Sequence, residues 1–268
     1  MKFTYYTIIG KDLNLLKGHV KNIKEYAGFD RLTCEKEFTI IIYENEKIPK
    51  AVTEELHGYC KQEGLKIVPY IEQHPDFISN LYACWNLGYE SADEGYVFRG
   101  GSDQVFSKDS FVNLFDITEK TKNLLGDKII LQANTIENIR RSPGSRHFIT
   151  DFGDTFENFK FEEFEIFCNE INKNVKEKIL DIDTALSHWN HPTPIDCSLG
   201  RINRTDGCSW LMEKKDWTAY GPIPVIINNV TGDVLIHDYL QQHGYKNFIV
   251  RDCITYHFVR GESLAIYG

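Results

Sequence analysis

Tyr96-Val97-Phe98-Arg99-Gly100-Gly101-Ser102-Asp103-Gln104-Val105-Phe106-Ser107 is a short apolar strand, Tyr96–Phe98, running into a glycine turn that carries one carboxylate. Glycine at a strand end lets the backbone approach a ligand closely. Asp103 beside it is able to hold a divalent cation or a hydroxyl group. The same stretch also reads as a plain glycine turn whose Asp accepts backbone hydrogen bonds. The segments upstream decide what sheet this strand joins. Phe3–Ile9 is a β-branched and aromatic strand stopped by Gly10. Asp12–Tyr26 is a helix with Leu13, Leu16, Val20 and Ile23 on one stripe and Asp12 as its N-cap. Phe38–Tyr43 is a second apolar strand, and Lys50–Glu63 a helix closed by Gly64. Leu65–Ile71 is a third strand. Pro75–Ala92 is a helix carrying Phe77, Ile78, Leu81, Trp85 and Leu87. Unbroken apolar strands alternating with amphipathic helices predict an α/β fold: a mostly parallel central sheet with helices on both faces. Ligands of such sheets sit beyond the carboxyl ends of the strands. Gly10, Glu44 and Asp103 should therefore converge on one crevice.

Downstream the pattern is looser. Lys128–Asn134, Val225–Asn229 and Phe248–Val250 read as strands, and Asp233–His243 as a helix ended by Gly244. Phe156–Val175 is an acidic, aromatic helix whose Phe159, Phe161, Phe164, Phe167 and Ile171 suit core packing. No repeat or linker divides the 268 residues, so one domain spanning 1–268 is expected.

Composition excludes several classes. Acidic residues outnumber basic ones by 39 to 30, a net charge of −9, which argues against a nucleic-acid binder. Hydrophobic residues at 42% and charged residues at 26% suit a soluble globular chain. The seven cysteines, Cys34, Cys60, Cys84, Cys168, Cys197, Cys208 and Cys253, form no CxxC pair. Zinc ribbons and disulfide scaffolds lose support, and a reducing compartment is expected. The run from Met1 to Gly10 lacks a small-residue cleavage site, and no apolar run nears the ~18 residues needed to cross a bilayer. A cytoplasmic chain with no integral membrane segment is the expectation. Neither GxGxxG, GxxxxGK[ST], GxSxG nor HExxH occurs.

Two further stretches carry chemistry. In Thr231-Gly232-Asp233, followed by Leu235-Ile236-His237-Asp238-Tyr239-Leu240, Asp233 serves as a helix N-cap, as a general base facing a cleft, or as both. Asp238 is the reserve candidate for the base. In Asp252-Cys253-Ile254-Thr255-Tyr256-His257-Phe258-Val259-Arg260-Gly261-Glu262-Ser263, His257 lies on an apolar strand, where a hydrogen-bonded core role competes with a ligand role. Arg260 and the hydroxyl of Ser263 just beyond it are groups a diphosphate takes.

In order along the chain, these stretches resemble glycosyltransferases of the GT-A type, specifically family-2-like enzymes. The resemblance runs from Phe3 to Ser263, with residues 120–200 unmatched. Glu44 falls where that family places an acidic residue on the nucleobase. Ala83-Cys84-Trp85-Asn86-Leu87-Gly88 is similar to its small-x-x-Asn-x-Gly helix, with Asn86 the matching residue. Gly101-Ser102-Asp103 falls on its Asp-x-Asp metal motif, of which only the last Asp is kept. Gly232-Asp233 matches its acidic pair before a helix, His243-Gly244-Tyr245-Lys246 its Gly-Tyr-Lys ending, and Tyr256-His257 its Tyr-His. The chain departs at Ile8-Ile9-Gly10, where the family carries a Pro-Thr turn, and it lacks QxxRW.

The resemblance implies a Rossmann-like GT-A fold whose first half, 1–107, binds a nucleotide-sugar and whose second half, 108–268, binds the acceptor. It implies transfer of a sugar from a nucleotide diphosphate donor, UDP-sugars favoured, to a hydroxyl of a glycan or other acceptor, with inversion. Asp233 would be the base. Asp103 and His257 would hold Mn²⁺ or Mg²⁺. Ile9, Gly10, Glu44, Asn86, Gly101, Ser102, Asp103, Arg260 and Ser263 would contact the donor. Trp189, His191 and Trp217 would offer rings to a sugar, or pack. Two other readings stand beside it. One is a nucleotide- or carbohydrate-binding module without catalysis, suggested by the reduced Gly-Ser-Asp motif. The other is a sugar-nucleotide nucleotidyltransferase, for which Gly10-Lys11 is a thin match.

Overall fold

The computed structural model describes residues 2–138, 148–181, 184–185, 195–197, 200–202, 209–224, 226–227 and 230–258. The first half follows the expected alternation: β1 (Lys2–Ile9), α1 (Leu13–Lys21, continued by a π turn over Asn22–Tyr26), β2 (Glu35–Glu44), α2 (Lys50–Gln62), β3 (Lys66–Ile71), α3 (Phe77–Ser91) and β4 (Tyr96–Arg99). Strand β5 (Gln104–Phe106) leads into α4 (Ser110–Leu125), β6 (Ile129–Glu137), β7 (Phe148–Ile149), α5 (Phe161–Asn172) and β8 (Ile179–Asp181). There follow β9 (Ile195–Cys197), β10 (Gly200–Ile202), β11 (Trp210–Glu213), α6 (Lys214–Tyr220), β12 (Ile226–Ile227), β13 (Val230–Thr231), α7 (Gly232–Gln242) and β14 (Lys246–His257).

The main sheet has ten strands, in the path β3-β2-β1-β4-β11-β6-β14-β5, with β7 on β6 and β8 on β14. Strands β3, β2, β1 and β4 are mutually parallel. Beyond β4 the sheet is mixed. Strand β11 runs antiparallel between β4 and β6, β14 lies parallel to β6, and β5 and β8 run antiparallel to β14. Three residues, Arg251 to Cys253, bulge from β14 between Val250 and Ile254.

The pleat sends alternate side chains to opposite faces. On β1, Phe3, Tyr5 and Ile9 join one core cluster with Leu16 and Val20 of α1, Leu56 of α2 and Phe111 of α4. Tyr6 and Ile8 join the other, with Leu81 and Trp85 of α3, Trp217 of α6 and Ile236 of α7. Helices thus cover both faces. Gly88 lets α3 lie this close, since a Cβ there would come 2.1 Å from the Tyr6 ring.

Several boundaries differ from the sequence reading. Helix α5 starts at Phe161 because the five residues before it turn back, with Lys160 N–H donating to the Phe152 carbonyl. Phe164 of α5 and Phe159 before it are buried in a local core, against which Phe161, Phe167 and Ile171 pack partly buried. Helices α4 and α6 and strands β5 and β11 were not expected, and β14 extends well past Phe248–Val250. Of the expected strand at 225–229, only Ile226–Ile227 lies within the described residues. No helix among the described residues is long and apolar enough to cross a membrane.

Candidate active site

The site begins where β4 ends. A Cβ at Gly100 would lie 2.2 Å from the buried Tyr5 Oη, and one at Gly101 would push the Asp103 carboxylate, 2.6 Å away, from its place. The turn carries the chain to β5, which pairs with the far end of β14 and sets Gln104 opposite His257. Phe258 N–H donates to the Asp103 carbonyl at 2.9 Å. This crossing brings Asp103 Oδ2 to 3.0 Å from His257 Nε2. The other ring nitrogen, Nδ1, lies 3.6 Å from Glu137 Oε1 at the end of β6. The three side chains are 1%, 8% and 1% exposed for Asp103, His257 and Glu137.

Two buried side chains hold the turn. Gln104 Oε1 accepts from Gly101 N–H and from Ser209 Oγ, both at 2.8 Å. Ser209 itself takes the left-handed conformation, φ 60°, rare for a residue with a side chain. It links the sheet by donating its N–H to Arg99 and accepting from Ala133 N–H. His19, fully buried on α1, lies 3.0 Å from the Gln104 carbonyl through Nδ1 and 2.7 Å from Tyr5 Oη through Nε2. The carbonyl only accepts, so Nδ1 carries the proton and Nε2 accepts from the tyrosine. Burial lowers the His19 pKa from 6.5 to about 4, which keeps this ring neutral.

A stack of planar groups ties α7 to the same region. The buried Arg99 guanidinium lies 3.6 Å from the Trp85 ring centre and 5.0 Å from that of Trp210. His237 of α7 stacks on Trp210 at 4.2 Å. Cation–π contacts in a desolvated setting are worth about 2 kcal/mol or more. Asp233 lies one turn before His237, and its side chain lies outside the described residues. Gly232 opens α7 against Pro224, whose carbonyl would be 1.6 Å from any Cβ.

The remaining expected residues divide. Ile9 and Gly10 are buried at the end of β1, with Ile9 opposite Ile42 of β2. Glu44 ends β2 and accepts from His57 Nε2 at 3.1 Å, lining an open cavity of about 490 Å³ with Lys50 and Lys61. Asn86 is taken up by the backbone of Ile223, donating at 3.0 Å and accepting at 2.8 Å, so it tethers α3 to the segment after α6. Trp217 packs in the core with its ring stacked on Tyr89. Asp238 accepts from Gln242 Nε2 on its own helix. Arg260, Ser263, Trp189 and His191 lie outside the described residues.

No family profile matches the chain, and no curated protein matches it in sequence. Solved structures do. The chain is similar to GalNAc-T7 crystallised with UDP, GalNAc and Mn²⁺, at TM-score 0.57 and 10% identity over 96% of this chain and 44% of that one. It is similar to S. aureus TarS at TM-score 0.53 and 12% identity, over 98% of this chain and 38% of that one. A shorter TarS, residues 1–349 with UDP, gives TM-score 0.53 and 13% identity over 96% of this chain and 60% of that one. The chain has the GT-A glycosyltransferase fold. It spans less than two thirds of each of these chains, and at such identities the likeness speaks for the fold.

On this GT-A sheet the donor set at Asp103 and His257 suits a cation such as Mn²⁺, one carboxylate oxygen and one imidazole nitrogen. Among the described residues no three His, Cys, Asp or Glu side chains converge as a metal cluster. Ser102 Oγ, Gln104 Nε2, both amide atoms of Asn134 and Trp210 Nε1 are buried without a hydrogen-bond partner. Buried polar atoms are nearly always partnered, so this group at one end of β4, β5, β6 and β11 fits a polar ligand. Glu137, Gln104, Arg99 and His19 were missed in sequence. The only signal for Glu137 is a carboxylate closing an otherwise suitable strand.

Proposed function

We propose that the chain is a glycosyltransferase that moves a sugar from a nucleotide diphosphate sugar, UDP-sugars foremost, to an acceptor hydroxyl with inversion. The buried Asp103–His257 contact at the strand ends of a GT-A sheet carries this reading. A divalent cation held by Asp103 and His257 would act as a Lewis acid on the leaving diphosphate. Glu44 would meet the nucleobase, and the Gly101-Ser102-Asp103 turn the diphosphate. Arg260 and Ser263 follow β14 in sequence and would add charge-assisted hydrogen bonds. Asp233 would take the acceptor proton, a role typically worth 10²–10⁴ in rate. In this reading residues 1–107 bind the donor and 108–268 the acceptor, in a reducing compartment suited to the five free cysteines among the described residues.

The test is calorimetry with UDP in the presence and absence of Mn²⁺, followed by assay of UDP release from UDP-sugars with and without acceptors. Binding with turnover that an Asp233→Asn change lowers at least a hundredfold supports the reading. Failure to bind any nucleotide would sink it. The single Asp of the turn favours a second reading, a binding module without catalysis. Binding without release of UDP across donors and acceptors would select that one.

A further inference from the structure

Glu137 has no part in the reaction as drawn above, yet it is held against its centre. Strand β14 lies between β5 and β6, and the backbone register sets His257 opposite Gln104 on one side and Glu137 on the other. The imidazole is consequently flanked by two carboxylates. Asp103 Oδ2 meets Nε2 at 3.0 Å and Glu137 Oε1 faces Nδ1 at 3.6 Å. The two ring nitrogens point away from each other. A carboxylate facing Nδ1 therefore does not share an ion with Nε2, in keeping with the absence of a three-residue metal cluster among the described residues.

We propose that Glu137 is the positioning residue for His257. In the structure Asp103 Oδ2 accepts from His257 Nε2 at 3.0 Å and Glu137 Oε1 stands at ion-pair distance, 3.6 Å, from Nδ1. A bound divalent cation would replace the Nε2 proton, and Glu137 would then hold the remaining proton on Nδ1 and so fix the ring's tautomer and rotation. This deepens the glycosyltransferase reading and rests on its assignment of Asp103 and His257. The physical reason is general: an imidazole ligand donates its second N–H to an outer acceptor, and removing that acceptor typically costs 10–100-fold in metal affinity. Glu137 has the right chemistry because a carboxylate only accepts, and its burial keeps water from competing for Nδ1–H.

The experiment is a Mn²⁺ titration followed by electron paramagnetic resonance, on the full chain with saturating UDP. Glu137→Leu is expected to weaken Mn²⁺ binding about 10–100-fold. Glu137→Gln, whose amide oxygen still accepts, should recover most of it, and this variant keeps the test alive if the leucine variant fails to fold. In a His257→Ala background Glu137→Leu should cost nothing further, because its effect passes through the ring. Unchanged Mn²⁺ affinity in Glu137→Leu overturns the proposal, as does an equal loss in the His257→Ala background. If UDP fails to bind the wild type, the glycosyltransferase reading itself falls. If UDP binds with no dependence on Mn²⁺, only the metal assignment falls, and this proposal with it.

Discussion

His19→Gln is expected to remove a loss of stability that the wild type suffers as pH falls from 6.5 to about 4. His19 is fully buried, donates from Nδ1 to the Gln104 carbonyl and accepts at Nε2 from Tyr5. The bond accepted from Tyr5 needs an unprotonated Nε2, and burial holds its pKa near 4 against an ordinary 6.5. Between those values the unfolded chain binds a proton at His19 that the folded chain refuses. Stability then falls with falling pH across that window and levels off below about 4, where both states are protonated. At 1.36 kcal/mol per tenfold change in proton affinity, the difference amounts to roughly 3 kcal/mol. Glutamine offers the same donor and acceptor without titrating. Urea unfolding followed by tryptophan fluorescence, at several pH values from 4 to 7, measures both proteins. All other groups titrate alike, so the difference between the two curves isolates His19. That difference should shift by roughly 3 kcal/mol across the window. Parallel curves would refute a neutral, buried His19 and with it the account of what holds the Asp103 turn.

Gly88→Ala should destabilise by about 1–3 kcal/mol, read from the denaturant midpoint, because its Cβ would meet the Tyr6 ring at 2.1 Å while the Tyr6 hydroxyl is bonded to the Trp85 carbonyl. An unshifted midpoint would show that α3 moves freely from β1. Asn134→Leu replaces a buried amide with no partner. The melting temperature should rise, by ~2–4 °C per kcal/mol gained, while affinity for UDP-sugars drops; a fall in melting temperature would mean this amide is satisfied in solution. Burial pushes the Cys60 and Cys253 thiols to about 12 and raises Cys168 further. These three should resist a thiol reagent at pH 8 until the chain unfolds, and mass spectrometry after timed labelling would expose any that react early.

The parallel half of the sheet was legible because β1, β2 and β4 are buried on both faces and each helix on one. Burial of that kind writes continuous apolar runs and helical stripes into a local window, as in Phe3–Ile9 and Leu13–Val20. The turn after β4 was legible from its paired glycines, but that Tyr5 and Asp103 fill the space beside them is seen only in the fold. Helix α4 was missed because its buried face includes Ser110, Thr118 and Thr121, which blunt its apolar stripe. Strand β11 was missed because its four residues carry no alternation, and only its two neighbours in the sheet explain it.

From local chemistry alone, then, the chain dictates an α/β sheet and the residue types gathered at its rim. Only the fold decides which of these touch. That Asp103 reaches His257, 154 positions away, follows from β5 pairing with β14, and that Glu137 backs the same ring follows from β14 pairing with β6. Asn86, expected at the donor only through the resemblance of its helix, is joined by the fold to the backbone of Ile223. The reason is that strand pairing joins segments by backbone hydrogen bonds, which are the same for every residue and leave no signature in side-chain order.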